Sequence, residues 1–356
     1  MSKYWSRAIR NIKPYTPGEQ PRDMKYIKLN TNENPYPPSP KVLEAISEAA
    51  GEAGENLRLY PDPTCEELRC AIADYYKLEK QQVFVGNGSD ELLAFSFLAF
   101  FDSDRPVLFP DITYSFYRVY ASLFRTNYRE IPLNDDFSIP VESLFEANGG
   151  IIIPNPNAPT GKFLPVRDIA SILEKNEDSV VIIDEAYVDF AGESAVSLIE
   201  RYPNLLIIQT FSKSRSLAGL RIGMALGNKD LIEGLDRVKN SVNSYTLDRI
   251  ALAAAVQAIK DERHFEDTRR KIVSTRERVS KELGQIGFKV IDSGANFIFI
   301  SHETMHARDI FKSLRDRGIL VRYFNEARID NYLRVSIGTD KDMDTFLKVI
   351  KEIISG

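Results

Sequence analysis

The chain has 356 residues, 43% of them hydrophobic, enough apolar surface to bury the core of a large domain and of a smaller one. Its formal net charge of −5 argues against a nucleic-acid partner, which would require a basic stripe. Cys65 and Cys70 form neither a C-x-x-C pair nor a spaced metal set, so they read as unpaired thiols of a reducing cytoplasm, with no metal site.

Taken in chain order, the segment from Met1 to Arg7 lacks the apolar core of a signal peptide, and residues 1–29 read as an N-terminal arm. The proline-rich run Asn34-Pro35-Tyr36-Pro37-Pro38-Ser39-Pro40 is a rigid, extended link from the arm into the body. Leu92 to Phe101, the longest apolar run, is too short to cross a bilayer and reads as a buried core helix, so no membrane partner is expected. From Val83 to about Gly227, short β-rich runs alternate with helical patterns: Pro106 to Phe109, Ile151 to Ile153, Val180 to Ile183, Leu205 to Ile208, Ile222 to Leu226. That alternation predicts an α/β domain over residues 30–250, a mostly parallel sheet covered by helices. Asp248 to about Leu283 is helical and charged. Strands at Asn296 to Ile300, Ile319 to Val321 and Tyr332 to Ile337, with helices after them, make residues 251–356 a small α+β domain.

Three strand ends carry chemistry. Val83-Phe84-Val85 runs into Gly86-Asn87-Gly88-Ser89-Asp90-Glu91 ahead of an apolar helix. Helix N-termini point unpaired N–H groups at anions and glycine lets backbone come close, so a phosphate could dock there; Ser89 and Asp90 are also ordinary helix caps. Val180-Val181-Ile182-Ile183 ends in Asp184-Glu185-Ala186-Tyr187, and acids at the carboxyl end of a parallel strand face the ligand crevice. By itself Asp184 reads equally as a helix cap. Leu205-Leu206-Ile207-Ile208 leads to Thr210-Phe211-Ser212-Lys213, with Arg221 following. An amine attacks an aldehyde in its neutral form, which neighbouring cations and partial burial favour, and the hydroxyls with Arg221 could hold a phosphate. Alone, Lys213 is an ordinary loop lysine; a phosphate-tailed aldehyde, pyridoxal 5'-phosphate, would satisfy both halves of this segment. His264, His302 and His306 form no H-E-x-x-H set, and the aromatic residues Phe116, Tyr117 and Tyr120 read either as site residues or as plain core packing.

Further segments, in order, give a resemblance. Ile12-Lys13-Pro14-Tyr15, Asn32-Glu33-Asn34-Pro35-Tyr36, Tyr60-Pro61-Asp62-Pro63, Thr113-Tyr114-Ser115-Phe116-Tyr117, Asn155-Pro156-Asn157-Ala158-Pro159-Thr160-Gly161, Ala295-Asn296-Phe297 and Leu333-Arg334-Val335-Ser336, with the three strand ends above, make a chain that resembles the class I/II aminotransferases of fold type I, in the branch acting on histidinol phosphate. The resemblance spans nearly the whole length. It implies Lys213 as the Schiff-base lysine and proton shuttle, Asp184 on the pyridine nitrogen and Tyr187 on the phenolic oxygen. Tyr114 would stack on the ring, and Gly88, Ser89, Asp90, Thr210, Ser212 and Arg221 would surround the cofactor phosphate. Tyr60 would reach the phosphate of a neighbouring subunit, in a homodimer with shared sites. Tyr15 and Arg322 would bind the substrate phosphate or second carboxylate, and Arg334 the substrate carboxylate; Arg322 also reads as a surface ion pair with Asp316 or Glu326. The implied reaction joins histidinol phosphate and 2-oxoglutarate; a threonine-phosphate decarboxylase, a broad aromatic or branched-chain aminotransferase and a non-catalytic regulator half are the alternatives. Two departures stand out. Ala158 replaces the asparagine that the family usually places before Pro-Thr-Gly, leaving Asn157 or Tyr187 to contact the phenolic oxygen, and Asp111 replaces a common proline.

Overall fold

A computed structural model of the chain describes residues 3–10, 12–21, 23–102 and 104–355. A short helix α1 (Arg7–Arg10) and strand β1 (Ile27–Lys28) precede helix α2 (Pro40–Ala50). Pro40 opens α2 because proline has no N–H to leave unpaired in a first helical turn. There follow α3 (Glu66–Tyr76), β2 (Val83–Asn87), α4 (Gly88–Phe100), β3 (Val107–Pro110), α5 (Phe116–Phe124), β4 (Tyr128–Ile131), β5 (Gly150–Pro154), α6 (Val166–Lys175), β6 (Val181–Asp184), β7 (Leu205–Thr210), β8 (Ile222–Gly227) and α7 (Lys229–Val242).

Strands β2 to β8 form one seven-stranded sheet in the order β2-β8-β7-β6-β5-β3-β4, in which β8 alone runs against its neighbours. The expected mostly parallel sheet is therefore present. Helices cover both faces, so its central strands are buried throughout, as parallel strands between two helical layers must be. Successive side chains of a strand point to opposite faces. Accordingly Ile151, Ile153, Ile183 and Ile207 join one apolar cluster, and Ile152, Ile182, Leu206 and Ile208 join the other. Strand β4 carried no apolar run in the sequence, because it is an edge strand with Tyr128 and Arg129 facing solvent.

Helix α8 (Arg249–Lys260) spans the expected domain break after residue 250 and packs on α2 and α3 through Ala251, Ala255 and Val256. Helix α9 (Glu262–Gly284) then leads to β9 (Phe288–Ile291), β10 (Phe297–His302), α10 (Ala307–Asp316), β11 (Ile319–Leu320), β12 (Arg322–Tyr323), β13 (Leu333–Ser336) and α11 (Asp340–Ser355). Strands β12-β13-β10-β9 form an antiparallel sheet over a separate core containing Ile298, Ile300, Val335 and Phe346. Strand β1 pairs in parallel with β11, which fastens the arm to the small domain.

The two domains meet across an apolar cluster, in which Ile112, Leu133 and Phe137 pack on Ile291, Phe299 and Ile329, and a charged contact beside it. Arg328 Nη1 lies 2.8 Å from Asp111 Oδ2, and its Nη2 donates to Leu133 O at 2.7 Å. Asp111 Oδ1 accepts from the N–H groups of Ile112 and Leu133. An aspartate at this position thus orders the loop and receives the small domain's arginine.

Candidate active site

The directions of the strands bring the chemistry to one edge of the large sheet. β2, β5, β6 and β7 end there and β8 begins there, since Asn87 pairs with Ile222, Thr210 with Gly223, and Pro154 with Asp184. The carboxyl edge of an open parallel sheet is where ligands bind. A cavity of ≈340 Å³ lies at this edge, lined by Tyr15, Ser89, Asp90, Tyr114, Asp184, Tyr187, Thr210, Ser212, Lys213, Arg221, Arg322 and Arg334.

At one end sits an anion cradle. Helix α4 begins without a side-chain cap, so its first-turn N–H groups are left for a ligand. Gly88 has φ +74°, and a Cβ there would stand 2.5 Å from Arg221 Nη2; a Cβ on Gly223 would meet Ser89 N at 2.7 Å. Glycine at both positions lets the guanidinium and the strand close on the helix end. Asp90 fixes the arginine: Oδ2 lies 3.1 Å from Arg221 Nη2, and Oδ1 accepts from Tyr114 Oη at 2.8 Å. Thr210 Oγ1 donates to Ser212 Oγ at 3.0 Å, and Arg221 Nη1 reaches Ser212 Oγ at 3.4 Å.

In the middle, Asp184 ends β6 almost wholly buried, and burial pushes its carboxyl up to about 6. A buried acid of this kind needs a donor or a cation beside it to ionise. Tyr117 Oη donates to Asp184 Oδ2 at 2.8 Å, and Ala186 N to Oδ1 at 3.3 Å. Next to it Glu185 points elsewhere: it accepts from Ser194 Oγ, Ala195 N and Gln209 Nε2, and burial pushes it up to about 7. Lys213 Nζ donates to Thr31 O at 3.3 Å and lies 5.8 Å from the centre of the Tyr187 ring. Tyr187 Oη accepts from Asn32 Nδ2 at 2.9 Å.

At the other end two arginines converge. Arg334 Nη2 donates to Asn30 O at 3.0 Å, its guanidinium lies over the rings of Phe297 and Phe324, and burial lowers its pKa. Arg322 donates to Thr16 O and Pro17 O of the arm and faces the cavity rather than Asp316 or Glu326. Tyr15 stacks on Phe116 at 4.4 Å.

One expected contact is corrected. Asn157 is fully buried and absent from the cavity wall; its Nδ2 donates to Ile112 O and Thr160 Oγ1, holding its own loop, while Ala158 presents a methyl to the cavity. Tyr60 is 79% exposed, stacks on Tyr245, and does not line the cavity of its own chain. Sequence reading assigned no role to Thr31 or Asn32 and left Tyr117 between core and site. The signal for Asn32 was its place in the Asn-Glu-Asn-Pro run; Tyr117 stands three residues after Tyr114, a helical spacing that core packing explains equally well.

The donor set fits pyridoxal 5'-phosphate: an uncapped helix end with Arg221 and two hydroxyls for a phosphate, a buried acid for a ring N–H, and a lysine for an aldehyde. Comparison with known proteins agrees. Residues 24–350 match the family Aminotransferase class I and II, and the chain belongs to that family: it is a pyridoxal-phosphate-dependent aminotransferase. It is 64% identical over 355 residues to the histidinol-phosphate aminotransferase of Clostridium acetobutylicum, with all of both chains covered. It is 58% identical to the enzyme of that name from Clostridium beijerinckii, covering 100% of this chain and 98% of the other. Among solved structures, histidinol-phosphate aminotransferase from Sinorhizobium meliloti in complex with pyridoxal-5'-phosphate superposes with a TM-score of 0.90 at 26% identity, covering 100% of this chain and 98% of that one.

Proposed function

We propose that this chain exchanges the amino group of histidinol phosphate with 2-oxoglutarate, as a step of histidine biosynthesis. The observation that carries the reading is one cavity holding a free lysine amine, a buried acid and an uncapped helix end at one side, with Arg322 and Arg334 at the other. Two arginines suit a substrate with two anionic ends. The names and identities of the full-length relatives support this donor over phosphothreonine or free aromatic amino acids.

Bound pyridoxal phosphate supplies an aldehyde carbon for the amino group and a ring that accepts the electrons left when a Cα proton departs. The chain's residues do the rest. Lys213 Nζ, at the aldehyde end of the site, would be the base that takes the Cα proton and would deliver it to the former aldehyde carbon on the other side of the amino nitrogen. Asp184 would hold the ring N–H, and the hydrogen bond from Tyr117 supports its ionised form. Tyr187 donates its hydroxyl proton into the cavity, since its oxygen already accepts from Asn32. Arg334 grips the donor's or acceptor's carboxylate, and Tyr15 and Arg322 the distal phosphate or second carboxylate.

A homodimer belongs to the same reading. Leu57, Leu59, Tyr60, Val242 and Tyr245 are all exposed, and Leu57, Leu59 and Tyr60 line one surface groove with Arg249; a second copy covering this apolar area would bring Tyr60 to its site. The cytoplasm suits two free thiols, Cys65 and Cys70. Among the described residues no helix is long and apolar enough to cross a membrane, and no cluster of metal ligands occurs.

The test is a donor panel with purified holoenzyme: histidinol phosphate, threonine phosphate and phenylalanine, each with 2-oxoglutarate, with carbon dioxide release followed. Fastest glutamate formation with histidinol phosphate and no carbon dioxide is expected. Release of carbon dioxide from threonine phosphate, or a preference for phenylalanine, would overturn the donor assignment.

A further inference from the structure

Three consecutive residues between the arm and the proline-rich link each hold a different working group of the cavity. Asn30 O accepts from Arg334 Nη2 at 3.0 Å, Thr31 O accepts from Lys213 Nζ at 3.3 Å, and Asn32 Nδ2 donates to Tyr187 Oη at 2.9 Å. All three line the cavity. Arg334 belongs to β13 of the small domain, while Tyr187 and Lys213 follow β6 and β7 of the large one. This segment therefore lies at the seam between domains and touches both.

Asn32 is the fixed point. It is 1% exposed and takes φ +57°, a left-handed backbone that residues other than glycine adopt at a cost and that asparagine tolerates best. Each of its polar groups is engaged. Its N–H donates to Ser336 Oγ at 2.9 Å, its Oδ1 accepts from Ser336 Oγ at 2.9 Å, and its carbonyl accepts from Asn296 Nδ2 at 3.0 Å. Ser336 lies two residues beyond Arg334 on β13, and its own N–H donates to Leu29 O. With its oxygen held by Ser336, the Asn32 amide can present only its NH₂ group to Tyr187, so Tyr187 must turn its own proton away from Asn32. The free direction is the cavity.

We propose that residues 30–32 act as a positioning strap, with Asn32 as the positioning residue that seats the Arg334 strand of the small domain and orients the hydroxyl of Tyr187. The Thr31 contact acts at the stage where the lysine is free, whereas the Asn32 contact with Tyr187 holds whether the lysine is bound or free. Thr31 O then receives one Lys213 N–H and leaves the nitrogen lone pair aimed at the substrate, while Asn32 keeps the Tyr187 proton pointed inward. This rests on the aminotransferase reading above and deepens it.

The test uses holoenzyme of Asn32→Gly, because glycine adopts φ +57° freely and only the amide is lost. Two readouts are followed: steady-state kinetics and the pH titration of the holoenzyme's visible absorbance, which a purely structural loss would leave in place. The titration midpoint should rise by about one pH unit, the equivalent of one lost hydrogen bond, with kcat reduced and KM for 2-oxoglutarate little changed. Added to Tyr187→Phe, Asn32→Gly should produce no further shift, since the two act through one hydroxyl. Ser336→Ala, which loosens the Asn32 amide without removing it, should shift the midpoint the same way by less, and it serves if Asn32→Gly does not fold. An unmoved midpoint in a coloured, foldable variant, or full additivity with Tyr187→Phe, would overturn the strap while leaving the aminotransferase reading standing. Wild-type protein with no visible band would remove both.

Discussion

The two ends of the cavity are built differently. The cofactor end comes from the carboxyl edge of a single sheet, where Asp184 and Thr210 close strands buried on both faces, with Ser89 and Asp90 on the adjoining helix end and Ser212, Lys213 and Arg221 on the turn between β7 and β8. The substrate end is assembled from Tyr15 on the arm, Asn30 to Asn32 just after it, and Arg322 and Arg334 on a small-domain sheet about three hundred residues further on. One end is fixed by the core of one sheet; the other depends on long-range contacts between the two domains, hydrogen bonds and ion pairs together with an apolar cluster in which Ile112, Leu133 and Phe137 pack on Ile291, Phe299 and Ile329. The residues expected to hold the cofactor sit on the first, and those expected to choose the substrate sit on the second.

The contrast can be broken from either side. Lys213→Ala should lower turnover on the order of 10⁴-fold, the scale of a lost proton-transfer group, in steady-state assays with every donor, with the fold unchanged by circular dichroism. Arg334→Ala removes a buried cation from the substrate end and should cost roughly 30- to 5,000-fold in kcat/KM for all donors, corresponding to about 2–5 kcal/mol; an equal fall in cofactor affinity would show that the ends are not separate. Arg322→Ala should lose about tenfold or more with histidinol phosphate and much less with phenylalanine; an equal loss with both would remove the phosphate role.

Tyr117→Phe tests the cofactor end more gently. Without its hydrogen bond Asp184 is harder to ionise, so cofactor affinity should fall by about tenfold, measured by fluorescence titration of the cofactor-free protein. The smallest effect concerns pH. Asp184 and Glu185 have folded-state pKa values raised to about 6 and about 7, so each binds its proton more tightly folded than unfolded. Their contribution is fully present below pH ~4 and is lost as pH rises through 6 and 7. Cofactor-free protein should therefore unfold at lower denaturant at pH 8 than at pH 5, and Glu185→Gln should reduce that difference by an amount of order 1 kcal/mol. An unchanged difference would mean that Glu185 does not change its charge between pH 5 and pH 8 in the folded protein.

The same division decided what the sequence disclosed. Apolar runs ending in Asp184, Thr210 and the Gly86-to-Glu91 turn announced both the sheet and the cofactor end, because strand, turn and site residue are neighbours in the chain. β4 and the short strands β1 and β12 stayed hidden, being edge or two-residue elements whose pairing is long-range. Tyr117 was ambiguous since helical spacing of aromatics is the ordinary signature of a core. Asn157 misled because proximity in the chain stood in for direction: one residue along the loop turns an amide from the cavity into the wall. Asn32 had a visible motif, yet its partners Tyr187, Ser336 and Asn296 lie 155 to 304 residues away, a separation no local pattern reports.

The central claim is that one lysine, Lys213, meets the aldehyde of bound pyridoxal phosphate. Reduction of the cofactor-saturated protein with borohydride, followed by peptide mass mapping, reads this directly. A single pyridoxyl label on Lys213 is predicted; a label on another lysine, or none, would contradict it.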